Sequence, residues 1–412
     1  VAGVDAAVAA RQVTVRDRRA RISASADFAV QGLCFATVIA KVPTLQDKFH
    51  LSDGQLTIVL ASVPLIAGLG SIAAGLLAPR SGSATVLRIA TIGVSLATIG
   101  IGMVNHLAAL YAVVAVFGFF VGGVDASMNM QGVAIQRRYG RSILASCHAW
   151  WSIAGIAGAL AASQAHAISV TVFLGCAGGV GLILAISAAS GLLSRVAEDV
   201  ADQRPNPVIT PTADPPVVVR RTGRLVLLIG AAVMLMFIGD SAATAWSPVY
   251  MKNQLDAIDA LVPLGLGAYL TFQLFGRTTA DRIIGRIGAI ATLVTGALIA
   301  TVGFGVVAAA PVPAVAIAGF ALVGAGLSVV VPLAFSAADA LDPAGTGTVI
   351  AKVNLFNYAG VVVGAALVGV VGTSTNYRVA FAIPGALVLL ICAVAPSFRL
   401  ADEARSRSAA AR

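Results

Sequence analysis

The chain has 412 residues, of which 58% are hydrophobic and 11% charged, with a mean hydropathy of +0.93. Soluble domains carry roughly 25% charged residues, so too little polar surface exists here to coat a water-soluble globule of this length. A helix that crosses a bilayer needs about 20 mostly apolar residues, and the apolar content suffices for roughly twelve of them with short connections. The net charge of +9 would suit nucleic acid or anionic lipid, but its placement along the chain assigns it to membrane topology, and no nucleic-acid partner is expected. The four cysteines (Cys34, Cys147, Cys176 and Cys392) sit in apolar runs without CxxC spacing. They predict neither a disulfide framework nor a metal site and read as small buried hydrophobes.

Twelve apolar segments follow one another: 27–42, 55–78, 84–104, 108–134, 145–166, 168–193, 225–250, 260–280, 287–309, 312–336, 347–371 and 376–397. They are predicted as transmembrane helices, spans 1 to 12, because in lipid each backbone polar group must be satisfied within its own segment. The alternation of a membrane barrel strand is absent. No cleavable signal peptide is expected, since the first apolar run leads straight into the others.

Basic residues cluster on one side of this arrangement. Arg11, Arg16, Arg18, Arg19 and Arg21 precede span 1; Arg80 and Arg88 flank the turn after span 2; Arg137, Arg138 and Arg141 separate spans 4 and 5. Arg195, Arg204, Arg220, Arg221 and Arg224 lie between spans 6 and 7, Arg277, Arg282 and Arg286 between spans 8 and 9, and Arg399, Arg405, Arg407 and Arg412 in the tail. The opposite side holds Lys41, Lys48, Lys252 and Arg378. By the positive-inside rule, both termini are expected in the cytoplasm of a cell whose inner (plasma) membrane the chain crosses many times.

The polar stretch 195–223 contains five prolines mixed with Asp and Arg, and reads as a flexible, partly extended linker. It divides the chain into residues 1–24, a basic cytoplasmic tail; 25–194, a six-helix bundle; 195–223, the linker; 224–398, a second six-helix bundle; and 399–412, a cytoplasmic tail. The halves resemble each other weakly. Gly75-Leu-Leu-Ala-Pro-Arg80-Ser-Gly82 closes span 2, and Gly276-Arg-Thr-Thr-Ala-Asp281-Arg282-Ile-Ile-Gly285-Arg286 closes span 8. A duplicated six-span unit is typical of alternating-access carriers.

Two six-span halves, the long middle linker and these Gly/Asp/Arg turns resemble the major facilitator superfamily. Four stretches look more narrowly like its sugar-permease branch, which contains fucose permease and the YbjJ-type inner-membrane proteins. They are Phe35 to Leu56; Gly122-Gly-Val-Asp125-Ala-Ser-Met-Asn129-Met-Gln131-Gly132 continuing to His148-Ala-Trp-Trp-Ser; Gly239-Asp240-Ser-Ala-Ala-Thr-Ala-Trp246-Ser-Pro-Val-Tyr250; and Gly324-Ala-Gly326 through Pro332. The resemblance implies an all-α integral membrane protein with twelve transmembrane helices in two pseudo-symmetric six-helix bundles, the major facilitator fold, and commonly a monomer. The chain departs from the superfamily at Pro79, where an acidic residue is usual, and at Ser83, where a basic one is. The latch of the first half should therefore be weaker than usual, whereas the second half keeps Asp281, Arg282 and Arg286.

Ionisable groups at membrane depth are costly and mark functional positions or buried pairs. Asp125 stands about 18 Å of helix from Arg137, near the bilayer centre, with Asn129 on the same face. Burial in low dielectric favours the neutral form of a carboxyl group, which suits one that binds and releases a proton at each turnover. The equivalent position in fucose permease is also acidic. Asp240, with Thr244 one turn on, is a second proton-coupling candidate or one member of an outer-gate pair, with Lys41 as the other. His148 and Trp151 on span 5 could relay protons and stack on a sugar ring, or anchor the helix end. Gln31, Gln273, Asn354, Asn357 and Tyr358 complete a polar lining, the amides either binding substrate or cross-linking helices. Lys41, Arg277, Asp281, Arg282, Arg286 and Lys352 are gating candidates. Pro248 and Pro332 are expected to bend their helices.

The expected function is secondary transport of a small polar metabolite such as a sugar, with protons as the coupling ion. Export of a drug or secondary metabolite and a transport-inactive sensor or scaffold are the alternatives. Neither HExxH nor a Walker loop nor a Ser/His/Asp grouping occurs, so neither an enzyme nor a cofactor is expected.

Overall fold

The computed structural model describes residues 13–139, 143–202, 219–341 and 348–398. Among these, every regular element is helical: α1 (Val15–Ala40), α2 (Val42–Phe49), α3 (Asp53–Ser81), α4 (Ser83–Met103), α5 (Leu107–Tyr139), α6 (Leu144–Gln164), α7 (Val170–Ala189), α8 (Arg195–Asp202), α9 (Val219–Val249), α10 (Leu264–Ile287), α11 (Ala289–Ala309), α12 (Pro313–Leu327), α13 (Val330–Ala340), α14 (Thr348–Ser374), α15 (Tyr377–Leu389) and α16 (Ile391–Val394). Among the described residues eleven helical stretches are long and apolar enough to cross a membrane. The twelfth expected span, span 8, corresponds to α10, which is 24 residues long but carries Gln273, Arg277, Asp281, Arg282 and Arg286. Its polarity, not its length, sets it apart.

Prolines punctuate the longer spans. Pro332 has no N–H to offer the carbonyl of Ser328, and span 10 divides there into α12 and α13. Pro248 ends the regular part of α9, which continues as a π-helical turn over Tyr250–Gln254.

Within the first half α1 packs on α6, α3 on α5 and α4 on α7; in the second, α9 packs on α14, α10 on α12, and α11 on both α12 and α15. The internal repeat is visible in the backbone. Among the described residues four have positive φ, namely His50, Gly82, Asp256 and Gly288, and 206 residues separate the members of each pair, His50 from Asp256 and Gly82 from Gly288. Close helix contacts repeat too. A Cβ on Gly122 would stand 1.7 Å from the Ala67 carbonyl oxygen, and one on Gly324 would stand 2.2 Å from that of Tyr269. Both members of this second pair are 202 residues further along than those of the first, so α3 with α5 and α10 with α12 share one register.

Two expectations about the ends of the first half need correction. The basic tail is helical from Val15, because Thr14 and Asp17 form a reciprocal capping box and Asp17 also accepts from Arg138 at the end of α5. Arg19 and Arg21 reach Ser190 and Ser146, so this segment is tied to the bundle. The expected linker begins with α8, whose Ala197 is buried. Glu198 accepts from the Ser83 backbone N–H at 3.2 Å and its hydroxyl at 2.8 Å, and from Gln131. A carboxylate from α8 thus caps the start of α4 beside the α3–α4 turn, and ties down a turn whose own residues, Pro79 and Ser83, predict a weak latch. Residues 203–218 of the linker, 1–12 of the first tail and 399–412 of the last lie outside the described residues.

Candidate functional site

The two halves meet along two seams, α3 against α14 and α6 against α10. Each seam is antiparallel. Leu270 of α10 lies 3.1 Å from the Cβ position of Gly155 on α6, and Ala159 lies 3.5 Å from that of Gly267. Followed inward by two turns, the same pairing sets Arg277 opposite His148. On the other seam Thr57 abuts Gly369, and the hydroxyls of Ser71 and Tyr358 are 3.1 Å apart.

At one end of the molecule the halves are closed upon each other. The Asn253 amide donates to Gln46 Oε1 at 2.9 Å, and the Ser163 hydroxyl donates to the Ala260 carbonyl at 2.5 Å. At the end that carries the start of α1 and α8, the α3–α14 seam is looser: among the described residues no atom comes within 4 Å of the Cβ position of Gly75, one turn beyond Ser71 on the same face, and Leu355 of α14 is exposed.

Polar groups at mid-helix gather on the two seams. On the α6–α10 side, Asp240 of α9 is half-buried, and its Oδ1 accepts from both the Tyr269 hydroxyl and the Gln273 amide, the latter at 2.9 Å. Gln273 also donates to the Tyr269 oxygen at 2.7 Å, which closes a three-membered cluster. Arg277, one turn further along α10, is half-buried and within electrostatic reach of Asp240, Tyr269 and His148. On the α3–α14 side, Asp125 of α5 is half-buried and within electrostatic reach of Tyr358 from the opposite half.

A model of the Major Facilitator Superfamily matches residues 24–341 and 229–412. The chain belongs to this superfamily. An uncharacterized MFS-type transporter of Yersinia pestis is 28% identical over 391 residues, covering 92% of this chain and 95% of the relative. Uncharacterized transporter y4wD of Sinorhizobium fredii is 25% identical over 90% of this chain and 96% of its own, and membrane protein MosC of Rhizobium meliloti is 26% identical over 83% and 81%. Among solved structures, nucleoside transporter NupG superposes with a TM-score of 0.69, and a mutant of it with 0.71, each at 12% identity over 93% of this chain and 99% of that one. The fold is therefore that of the superfamily, whose members are transporters and not enzymes.

Within that fold the expected site residues divide. Asp125, Asp240, Gln273, His148, Trp151, Arg277 and Tyr358 stand on or beside the seams. Trp151 lies against α1, its ring 6.2 Å from that of Phe35, and the His148 ring meets Phe28 edge-on at 4.7 Å. Asn357 is half-buried beside Tyr358 on α14. Three other side chains are occupied elsewhere. Gln31 donates to the Val121 carbonyl and so links α1 to α5; Asn129 and Thr244 turn back onto their own helices, to the carbonyls of Asp125 and Asp240, each at 2.8 Å. Short polar side chains in an apolar helix find the carbonyl one turn back before they find a ligand.

Lys41 does not pair with Asp240. It is buried at the α1–α2 junction, donates to the Ala165 carbonyl at 3.4 Å, and sits 4.8 Å above the Phe173 ring, while Lys252 pairs with Asp259 at that end. Arg282, Arg286 and Lys352 are exposed, and the side chains of Asp281 and Asn354 lie outside the described residues. The sequence reading missed Tyr269 and Ser71. Tyr269, Gln273 and Arg277 are spaced four residues apart on one helix, the available signal for a shared face. It also missed Asp27, buried on α1 among Thr91 and Arg88, whose Oδ2 has no hydrogen-bond partner among the described residues.

Proposed function

We propose that the chain is a secondary active transporter that works by alternating access, coupled to protons, for a small polar metabolite such as a sugar. One observation carries the reading. The halves are closed upon each other at one end and looser along α3–α14 at the other, with one carboxyl group at mid-helix on each seam. Rocking about the seams would exchange the open end, and a carboxyl group that changes protonation during the exchange would couple the motion to a proton gradient. Asp240 is held by two donors from α10, whereas Asp125 lies within electrostatic reach of Tyr358 of the opposite half; Asp125 is assigned the transported proton.

The arginines at the open end, among them Arg16, Arg19, Arg80, Arg138, Arg195 and Arg282, support an inner-membrane protein with cytoplasmic termini, so that the state described is open to the cytoplasm. The two bundles, 25–194 and 224–398, would be the rocking bodies of a monomer.

The test is uptake by proteoliposomes loaded with the full chain. Asp125→Asn should abolish accumulation against a gradient while sparing exchange of substrate across the membrane. Full proton-driven accumulation by this variant removes Asp125 from the mechanism.

A further inference from the structure

We propose that Arg277 is the recognition site for a carboxylate carried by the transported molecule, so that the substrate is an acidic polar metabolite such as a sugar acid and not a neutral sugar. The inference rests on the transport reading above and narrows its substrate class.

The position of Arg277 follows from α10 alone and from its register. Gln273, four residues earlier, faces Asp240; Leu270, seven residues earlier, faces Gly155 of α6. Residues four and seven apart share a face, so the Arg277 stem points to the place where α6, α9 and α10 meet. That place lies on the seam between the halves. Gly276 beside it packs the other way, its Cβ position 2.1 Å from the hydroxyl of Ser328, the C-cap of α12, and so settles the rotation of this turn.

A guanidinium group at membrane depth costs several kcal/mol unless something compensates it. Tyr269 and Gln273 are spent on Asp240, and among the described residues no side chain forms a hydrogen bond or an ion pair with Arg277. Asp240 is within electrostatic reach but is already held by its two α10 donors. The N–H groups of Arg277 form a fork that matches a carboxylate in two parallel bonds. His148, opposite on α6 and half-buried, adds a ring nitrogen as donor or acceptor from the other half. A ligand that bridges Arg277 and His148 would touch both rocking bodies. Charge sets the class: beside Asp240 a carboxylate ligand leaves one surplus negative charge to be held at low dielectric, whereas a phosphate dianion leaves two.

The test uses the purified, detergent-solubilised full chain and thermal unfolding followed by tryptophan fluorescence. The probes are matched pairs, D-glucuronate with D-glucose, D-galacturonate with D-galactose and D-gluconate with D-glucitol, together with glucose 6-phosphate, all at the same millimolar concentration. At least one acid should raise Tm by a few degrees while its neutral counterpart does not. Arg277→Gln should abolish that shift, Arg277→Lys should weaken binding about tenfold because the charge stays and the fork is lost, and Arg224→Gln, an exposed charge removed elsewhere, should leave it intact. If Arg277→Gln does not fold, the matched pairs on the unaltered chain and the lysine variant decide. Stabilisation by a neutral sugar or by the phosphate ester alone overturns the carboxylate assignment and leaves the transport reading standing. An acid shift that persists in Arg277→Gln also overturns it. Silence from every probe, with unliganded unfolding still cooperative, overturns both the assignment and the polar-metabolite reading.

Discussion

Along the α6–α10 seam, Tyr269, Gln273 and Arg277 occupy three successive turns of α10, whereas the same turns of α3, 202 residues earlier, hold Ala67, Ser71 and Gly75. The helices are equivalent by register, as the matching glycine contacts at Gly122 and Gly324 show, but their chemistry has separated. On α10 the polar side chains fasten a carboxylate and present a cation. On α3 only the Ser71 hydroxyl remains, bonded to Tyr358 across the halves, and the turn below it is bare. Duplicated architecture thus supplies two similar sliding surfaces, while substitution at three positions makes one of them a polar recognition face and leaves the other smooth. The carboxylates diverge accordingly: Asp240 is immobilised by its neighbours, and Asp125 is left to face the other half.

The comparison can be broken most forcefully at the shared register. Gly122→Ala and Gly324→Ala each drive a methyl into a backbone carbonyl that cannot move aside, and each should cost about 3 kcal/mol or more, seen as a lower Tm or lost folded yield. A neutral result at either position would mean that the two half-repeats do not pack alike. Next come the hydroxyls. Tyr269→Phe removes one of the two donors to Asp240 and should cost about 1.5–3 kcal/mol, whereas Ser71→Ala removes a neutral bond and should cost about 0.5–1.5 kcal/mol. Denaturation of both variants in one detergent measures the difference; equal losses would say that Asp240 carries no more hydrogen-bond energy than a neutral hydroxyl. The smallest effect belongs to Gly75→Ala. With nothing near its Cβ position it should gain up to about 1 kcal/mol from helix propensity, and a loss would show that α3 closes tightly there in another state.

Much of the fold is legible without coordinates because its causes are local. Apolar runs of about twenty residues need no partner to declare themselves, and charges inside such runs, Asp125 and Asp240, stand out at once. Tyr269 escapes this filter. It is uncharged and half apolar, and only the approach of α9 turns its hydroxyl into a ligand for a carboxylate. The reverse error occurs at Asn129 and Thr244, which share a helix face with the acidic residues yet bond their own backbone. Lys41 likewise has an ionic reading on paper and a carbonyl and an aromatic ring in space.

Segment number, the duplicated halves and the side on which arginines collect were determined by the sequence itself, since hydrophobic length and charge act residue by residue against the bilayer. Tertiary structure alone decided which polar groups meet. That choice depends on the rotation and antiparallel register of helices from different halves, set by contacts such as Gly155 with Leu270 and Gly276 with Ser328, where the absence of a side chain on one helix fixes the angle at which the next one presents its own.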